Sequence, residues 1–246
     1  MQTKKMHPMK NVNAKEKKHY FFVSLFLMLL SNRSIFWLGH LLSRNAPHFD
    51  LSLSADALVP FLPWTILIYG GVNLWWIYVY WLVAGCERQE ANRFFCAQLL
   101  AKATSFLFFV FLPTTITRPE LKGGSIWISL MSFLYRIDTP DNLFPSIHCM
   151  LGWICWIAVR GKKDISIGIR ILSFLLAVAV CSSTLMVRQH VIMDVAGGIL
   201  LSEISYRFAD NAALSSLYTK LFNWFVKHII SLQKDADMRK ALKSGS

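Results

Sequence analysis

Long apolar stretches joined by short polar connections run through almost the whole of this chain. At about 20 residues per bilayer crossing, six of them predict membrane-spanning helices, at 20–42, 59–84, 94–115, 145–159, 165–187 and 190–208. The first is interrupted by Ser31-Asn32-Arg33-Ser34, which predicts either a break at that point or a partner for Arg33 inside the bundle, since a charge at that depth is costly. The second opens with Pro60 and Pro63 in its first turn, where proline is tolerated. The fourth is short and starts at Pro145. Between the third and fourth, the apolar run 126–135 is too short to span and is expected at the interface or in a re-entrant position. Over 212–232 apolar residues recur at helical spacing with Lys220, Lys227 and His228 among them, the pattern of an amphipathic surface helix. The polar segment 233–246 reads as a disordered tail.

Composition supports lipid as the solvent. The chain has 246 residues, 54% of them hydrophobic and only 16% charged, where a soluble domain carries about 25% charged residues. A net charge of +12 raises nucleic acid as a partner, but the location of the charge argues against it. Lys4, Lys5, Lys10, Lys15, Lys17 and Lys18 crowd one end, and Lys220, Lys227, Lys234, Arg239, Lys240 and Lys243 the other. Both tails flank apolar spans, where basic residues set topology and meet anionic headgroups. Six spans put both tails in the cytoplasm. Arg88, Arg93, Arg160, Lys162 and Lys163 then fall in cytoplasmic loops, while the first external loop holds Arg44, Asp50 and Asp56. The expected architecture is an all-α polytopic membrane bundle of about six helices with both termini cytoplasmic. Residues 1–19 form a basic tail, 20–208 the membrane domain, and 209–246 the surface helix and polar tail. The basic-then-apolar start mimics a signal peptide, but its apolar region is too long and more spans follow, so it reads as a retained helix. Cys86, Cys96, Cys149, Cys155 and Cys181 show no C-x-x-C spacing and read as small buried hydrophobes.

This topology brings three polar clusters to one membrane depth, at the outer ends of the third, fourth and sixth spans: Arg118-Pro119, Pro145-Ser146-Ile147-His148 and His190-x-x-x-Asp194. His190 and Asp194, four apart at a helix start, share a face. A carboxylate there holds the imidazole Nδ1–H and leaves Nε2 free to attack. With His148 as a second imidazole, the set suits a two-step displacement with one nucleophile and one general acid. Arg118 offers a bidentate cation for phosphate oxygens. Ser146 and Ser183 offer hydroxyls, and the start of the fourth span offers backbone N–H groups to an anion. Taken singly, each element has a bland reading: His40, His48 and His228 read as structural or interfacial, and Pro-Ser-x-His as a helix start with Ser146 at its cap. No Cys/His cluster or carboxylate pair has metal-site spacing.

In order, spacing and shared side these motifs resemble those of the type 2 phosphatidic acid phosphatase superfamily. Its signature is Lys, six residues, Arg-Pro; then Pro-Ser-Gly-His; then Ser-Arg, five residues, His, three residues, Asp. Here the parts read FLPTTITRP from Phe111 to Pro119; Pro145-Ser146-Ile147-His148; and Ser183-Thr184, five residues, His190, three residues, Asp194, with Gly197-Gly198 following. Phe111, Ile147 and Thr184 depart from the pattern, and two of the family's three phosphate-binding cations are absent. In this it looks like the inositol phosphorylceramide synthase branch, whose members transfer a phospho-headgroup to an alcohol. The resemblance implies a phosphohistidine on His190 oriented by Asp194. It implies His148 as proton donor to the leaving alkoxide and activator of water or alcohol, and Arg118 on the phosphoryl oxygens, with no metal or other cofactor. Arg188 is near enough in sequence to substitute for a missing cation. The expected activity is a lipid phosphatase acting on a phosphatidate- or polyprenyl-pyrophosphate-like lipid at the extracytoplasmic face of a plasma membrane, with lysine-rich tails and short loops that fit a bacterial one. The alternatives are a headgroup transferase and a non-catalytic relative. The expected partners are the lipid phosphate and the bilayer, with no nucleic acid; oligomeric state is left open.

Overall fold

The structure, a computed structural model, describes residues 14–244, the last sixteen of them by backbone alone. Lys4, Lys5 and Lys10 of the basic tail lie outside the described residues. The described residues form eight helices and one minimal pair of strands: α1 (Ala14–Ser43), α2 (Ile66–Ala84), α3 (Arg88–Phe111), α4 (Ile126–Ile137), α5 (Ile147–Val159), α6 (Ile167–Met186), α7 (Ile192–Phe208) and α8 (Ala212–Ser244), with β1 (Phe49–Asp50) parallel to β2 (Thr114–Thr115). Four helices are long and apolar enough to cross a membrane: α1, α2 with the turn that precedes it, α3 and α6. This is an all-helical membrane protein.

Its packing has the polarity that lipid imposes. Phe22, Phe26 and Trp37 of α1, Leu67 and Leu74 of α2, and Ile171 and Leu175 of α6 face outward. Polar side chains lie between helices, where they find one another. Tyr80 bonds Gln98, and Tyr20 donates to Asn92 Oδ1 at 2.7 Å. Tyr218 of α8 donates to Ser24 Oγ at 2.6 Å, and Asn92 Nδ2 donates to Thr219 Oγ1 at 2.6 Å, so α8 is tied to α1 and α3. At the centre is α3, which packs on α1, α2, α5, α7 and α8. Its Phe94, Phe95, Ala97 and Ala101 are fully buried. All five cysteines are buried and unbridged.

Several boundaries differ from the sequence reading. The interruption at Ser31–Ser34 does not break α1, which is continuous. Ser31 Oγ donates to Met28 O at 2.9 Å and also accepts from Lys102 Nζ at 3.1 Å, so its hydroxyl is satisfied within the helix pair. Arg33 points outward with no ion pair among the described residues. The buried basic side chain is instead Lys102, 1% exposed, whose Nζ also donates to Met28 O at 2.9 Å. The second helix begins later than residue 59: Pro63–Thr65 is a 3₁₀ turn, and α2 proper starts at Ile66. The third ends at Phe111, since Thr114 and Thr115 join β1. Helix α8 does not stop at residue 232 but continues to Ser244.

Candidate functional site

The site forms where the starts of α5 and α7 meet the end of α6. Ser146 is the N-cap of α5: its hydroxyl accepts from Cys149 N at 3.3 Å, and its own N–H donates to Asp194 O at 3.0 Å. The two helix starts are therefore bonded together. Gly198 makes this approach possible, because a Cβ there would lie 2.6 Å from Ser146 O. Next to it, a Cβ on Gly197 would strike the Phe144 ring at 2.5 Å.

Helix α6 ends at Met186, and Arg188 just beyond it takes the left-handed conformation, φ 54°. Beyond it the N–H groups of Gln189 and His190 both donate to Thr184 O, at 3.0 and 3.2 Å. That turn aims His190 at Asp194. His190 Nδ1 lies 3.2 Å from Asp194 Oδ2, which also accepts from Val191 N at 3.1 Å. Asp194 is 1% exposed and His190 9%. With Nδ1–H facing a carboxylate, Nε2 is the atom left for chemistry. Across the site is His148, in the first turn of α5, its ring centroid 6.4 Å from that of His190. His148 stacks on Tyr69 of α2 at 4.2 Å and lies 5.8 Å from the Trp76 ring.

Arg118 completes the group. Its NH1 donates to Asp138 O at 2.7 Å and its NH2 to Gln189 Oε1 at 2.5 Å, while the guanidinium lies over Tyr135, 4.4 Å from the ring centroid. Tyr135 OH in turn donates to Val187 O at 2.8 Å, which seats α4 over the end of α6. Three polar atoms here are buried without a protein partner: Gln189 Nε2, Arg118 Nε and, on the carboxylate that holds His190, Asp194 Oδ1. The first two are donors, and an anion is what two neighbouring unpaired donors would take; the third is an acceptor. Burial lowers the Arg118 guanidinium from its ordinary value, against the raising influence of Asp138. Burial raises the Asp138 carboxyl above the ordinary carboxylate range, against the pull of His190 and Arg118.

Of the residues singled out in the sequence, His148, His190, Asp194 and Arg118 converge, and Ser146 fixes the frame. Ser183 and Arg188 do not turn toward the histidines. Ser183 Oγ donates to Val180 O of its own helix at 3.0 Å. Arg188 donates to Asp56 O at 2.9 Å and Val59 O at 2.6 Å, holding the loop before α2. Phe111, which stands where the resembled pattern has lysine, is 79% exposed at the end of α3, and Thr184, which stands where that pattern has arginine, is buried with its hydroxyl on Cys181 O.

Sequence reasoning missed four contributors. Gln189 bonds Arg118, and Tyr69 OH lies 3.3 Å from His148 Nδ1 and 3.4 Å from Asp138 Oδ2. Asp56, counted only for its charge, accepts from Ile192 N at 2.8 Å and so caps α7 from another segment. Thr114, inside the first motif, accepts from Leu143 N and Phe144 N at 3.0 and 2.9 Å and holds the loop that leads into α5. Only Gln189, adjacent to His190, carried a signal in its position. No protein-family model matches this chain, and no curated protein matches it.

Proposed function

We propose that this chain is a membrane lipid phosphatase that works through a phosphohistidine, and that it belongs with the type 2 phosphatidic acid phosphatases. In this reading α5 and α7, though short at 13 and 17 residues, join the four longer helices as spans. Both termini are cytoplasmic, and the site opens to the extracytoplasmic side of a plasma membrane of bacterial type. The paired Lys162–Glu90 and Arg160–Glu203, at 2.6 Å each, and Arg93–Asp210, at 3.2 Å, then gather at the cytoplasmic ends of the helices.

One observation carries the proposal: an imidazole oriented by a buried carboxylate faces a second imidazole, with a guanidinium and an amide as anion donors beside them. In the first step Nε2 of His190 attacks phosphorus, the bond from phosphorus to the lipid oxygen breaks, and His148 gives that oxygen its proton. In the second step His148 takes a proton from water, the hydroxide displaces His190 from phosphorus, and inorganic phosphate leaves. Asp194 stabilises the positive charge that develops on the neutral His190 imidazole as Nε2 bonds to phosphorus and that remains in the phosphohistidine. Arg118 and Gln189 would bind the non-bridging oxygens, whose charge grows in the transition state.

Purified protein given a panel of lipid phosphates, with no acceptor added, should release inorganic phosphate, and His190→Ala should not. Equal release by both proteins would overturn the reading. Transfer to an alcohol is the second reading, and charge favours it: the site holds one guanidinium where the family pattern has three cations. A phosphodiester carries about one negative charge, a phosphomonoester up to two. Turnover that appears only when diacylglycerol, ceramide or inositol is supplied would select transfer.

A further inference from the structure

A cavity of about 420 Å³ lies outside the histidine cluster, between α3 and α7, within the size range of sites that take small molecules. One wall is Leu100, Thr104 and Phe108 of α3, spaced four apart; the other is Gly197, Leu201 and Ile204 of α7. Both stripes run along their helices, so the cavity is a furrow rather than a bowl. Its walls are almost wholly hydrocarbon. The Thr104 hydroxyl is satisfied within its own helix, donating to Leu100 O at 3.0 Å.

The two ends differ. At one end Phe144 and Pro145 close the furrow against Gly197. Pro145 precedes the α5 cap Ser146, and Gly197 is one helical turn past Asp194, so this end abuts the phosphate chemistry. At the other end are Phe208 and Leu214. From Gly197 to Phe208 the helix axis advances about 16 Å, about the reach of a dozen extended methylenes. Along the open side Leu200, Ile204 and Phe208, four apart, are 61%, 41% and 62% exposed, and this is the side that meets the bilayer.

We propose that this furrow seats one hydrocarbon chain of the lipid whose phosphate is processed at His190, with the chain entering sideways from the bilayer. The inference rests on the lipid phosphoester reading and adds where, and how, the lipid is recognised. The furrow begins beside the loop that leads into α5, and its lining is apolar apart from the hydroxyls of Thr104 and Ser205. Its occupant is therefore a single long alkyl or isoprenoid tail, with the phosphate lying beyond Phe144. The absence of a Cβ at Gly197 lets the Phe144 ring pack against α7 and form the stop at the head of the furrow.

The test is photolabelling with a phosphatidate whose acyl chain carries a mid-chain diazirine, using wild-type protein and His190→Ala in detergent micelles. Peptide mapping should place the adducts on 100–108 and 200–208, and unlabelled phosphatidate should suppress them where phosphatidylcholine does not. Leu200→Trp and Ile204→Trp project from a lipid-exposed face and so leave the fold intact. By filling the furrow they should cut this labelling by about fivefold or more while leaving the thermal unfolding midpoint unchanged. Adducts scattered over other helices, adducts that phosphatidylcholine removes equally well, or no adducts at all would each overturn the proposal. Labelling does not require turnover. Competed furrow adducts without phosphate release would sink the catalytic reading alone, and phosphate release with adducts elsewhere would sink the furrow alone.

Discussion

Gly198 is where the geometry of the site can be tested most directly. Replacing it with alanine puts a Cβ 2.6 Å from Ser146 O and 3.2 Å from both Cys149 Cβ and Met150 N. None of these neighbours is the tip of a flexible side chain, since all three belong to the first turn of α5. Relief requires α5 and α7 to part until 2.6 Å becomes 3.0–3.4 Å, a shift of about 0.4–0.8 Å. The Ser146 N–H bond to Asp194 O, now 3.0 Å, would then exceed the ordinary hydrogen-bond range. Overpacking of this kind costs about 1–3 kcal/mol, and the lost backbone bond about 1 kcal/mol more. Alanine recovers about 0.5–1 kcal/mol of helix propensity, leaving a net loss of about 2 kcal/mol. For a chain of this size that lowers the unfolding midpoint by about 4–8 °C. The assay is thermal unfolding in detergent, with Gly168→Ala in α6 as control, because nothing lies within 4 Å of a Cβ there. If the two variants unfold at the same temperature, the close approach of α5 and α7 is not what holds His148 opposite His190, and the account of the site falls with it.

Three further outcomes follow from the same geometry. Asp194→Asn keeps the side-chain shape but removes the charge that orients His190, and should lower kcat by about two to four orders of magnitude with little change in lipid binding, measured by parallel turnover and binding titrations. Gln189→Ala removes the 2.5 Å acceptor of Arg118 and one unpaired donor, and should raise KM by about tenfold with a smaller fall in kcat; a fall in kcat alone would contradict its assignment to phosphate binding. For Asp138 the carboxyl is raised in the folded protein by burial, so the native state binds more protons than the unfolded one and stability increases as pH falls from the folded value toward the ordinary carboxylate value. Asp138→Asn should flatten that part of the stability–pH curve, and thermal midpoints recorded across the acid range will show whether it does.

The helices were legible in the sequence because lipid demands long apolar runs: α5, α6 and α7 fall within about two residues of the expected apolar segments, while α3 is displaced toward the N-terminus of its segment. The errors lie where a polar residue has a partner that the sequence does not reveal. Ser31 looked like a helix interruption because the acceptor and donor that satisfy it, Met28 O and Lys102, are visible only after α1 meets α3. Arg188 looked like a phosphate ligand because it is two residues from His190, yet a left-handed backbone turns it toward Asp56 and Val59. His190, Asp194, His148 and Arg118 were legible because their spacing repeats a chemical pattern. Tyr69 and Asp56 were not, because each enters the site from a different segment and contributes one contact rather than a motif. The strands β1 and β2, two residues each, are too short to leave any period in the sequence.

The burial of Lys102 bears on how the chain is built into a membrane. A lysine at the middle of a lone helix resists transfer into hydrocarbon by about 2.5–3.5 kcal/mol. The acceptors that offset this, Met28 O and Ser31 Oγ, both belong to α1, which is synthesised first. Helix α3 therefore enters lipid most readily alongside a helix that is already there, and the linear order of the chain doubles as an order of assembly. The same residue sets the rotational phase of the two helices, since turning either one by a residue would carry Nζ away from its acceptors and toward lipid.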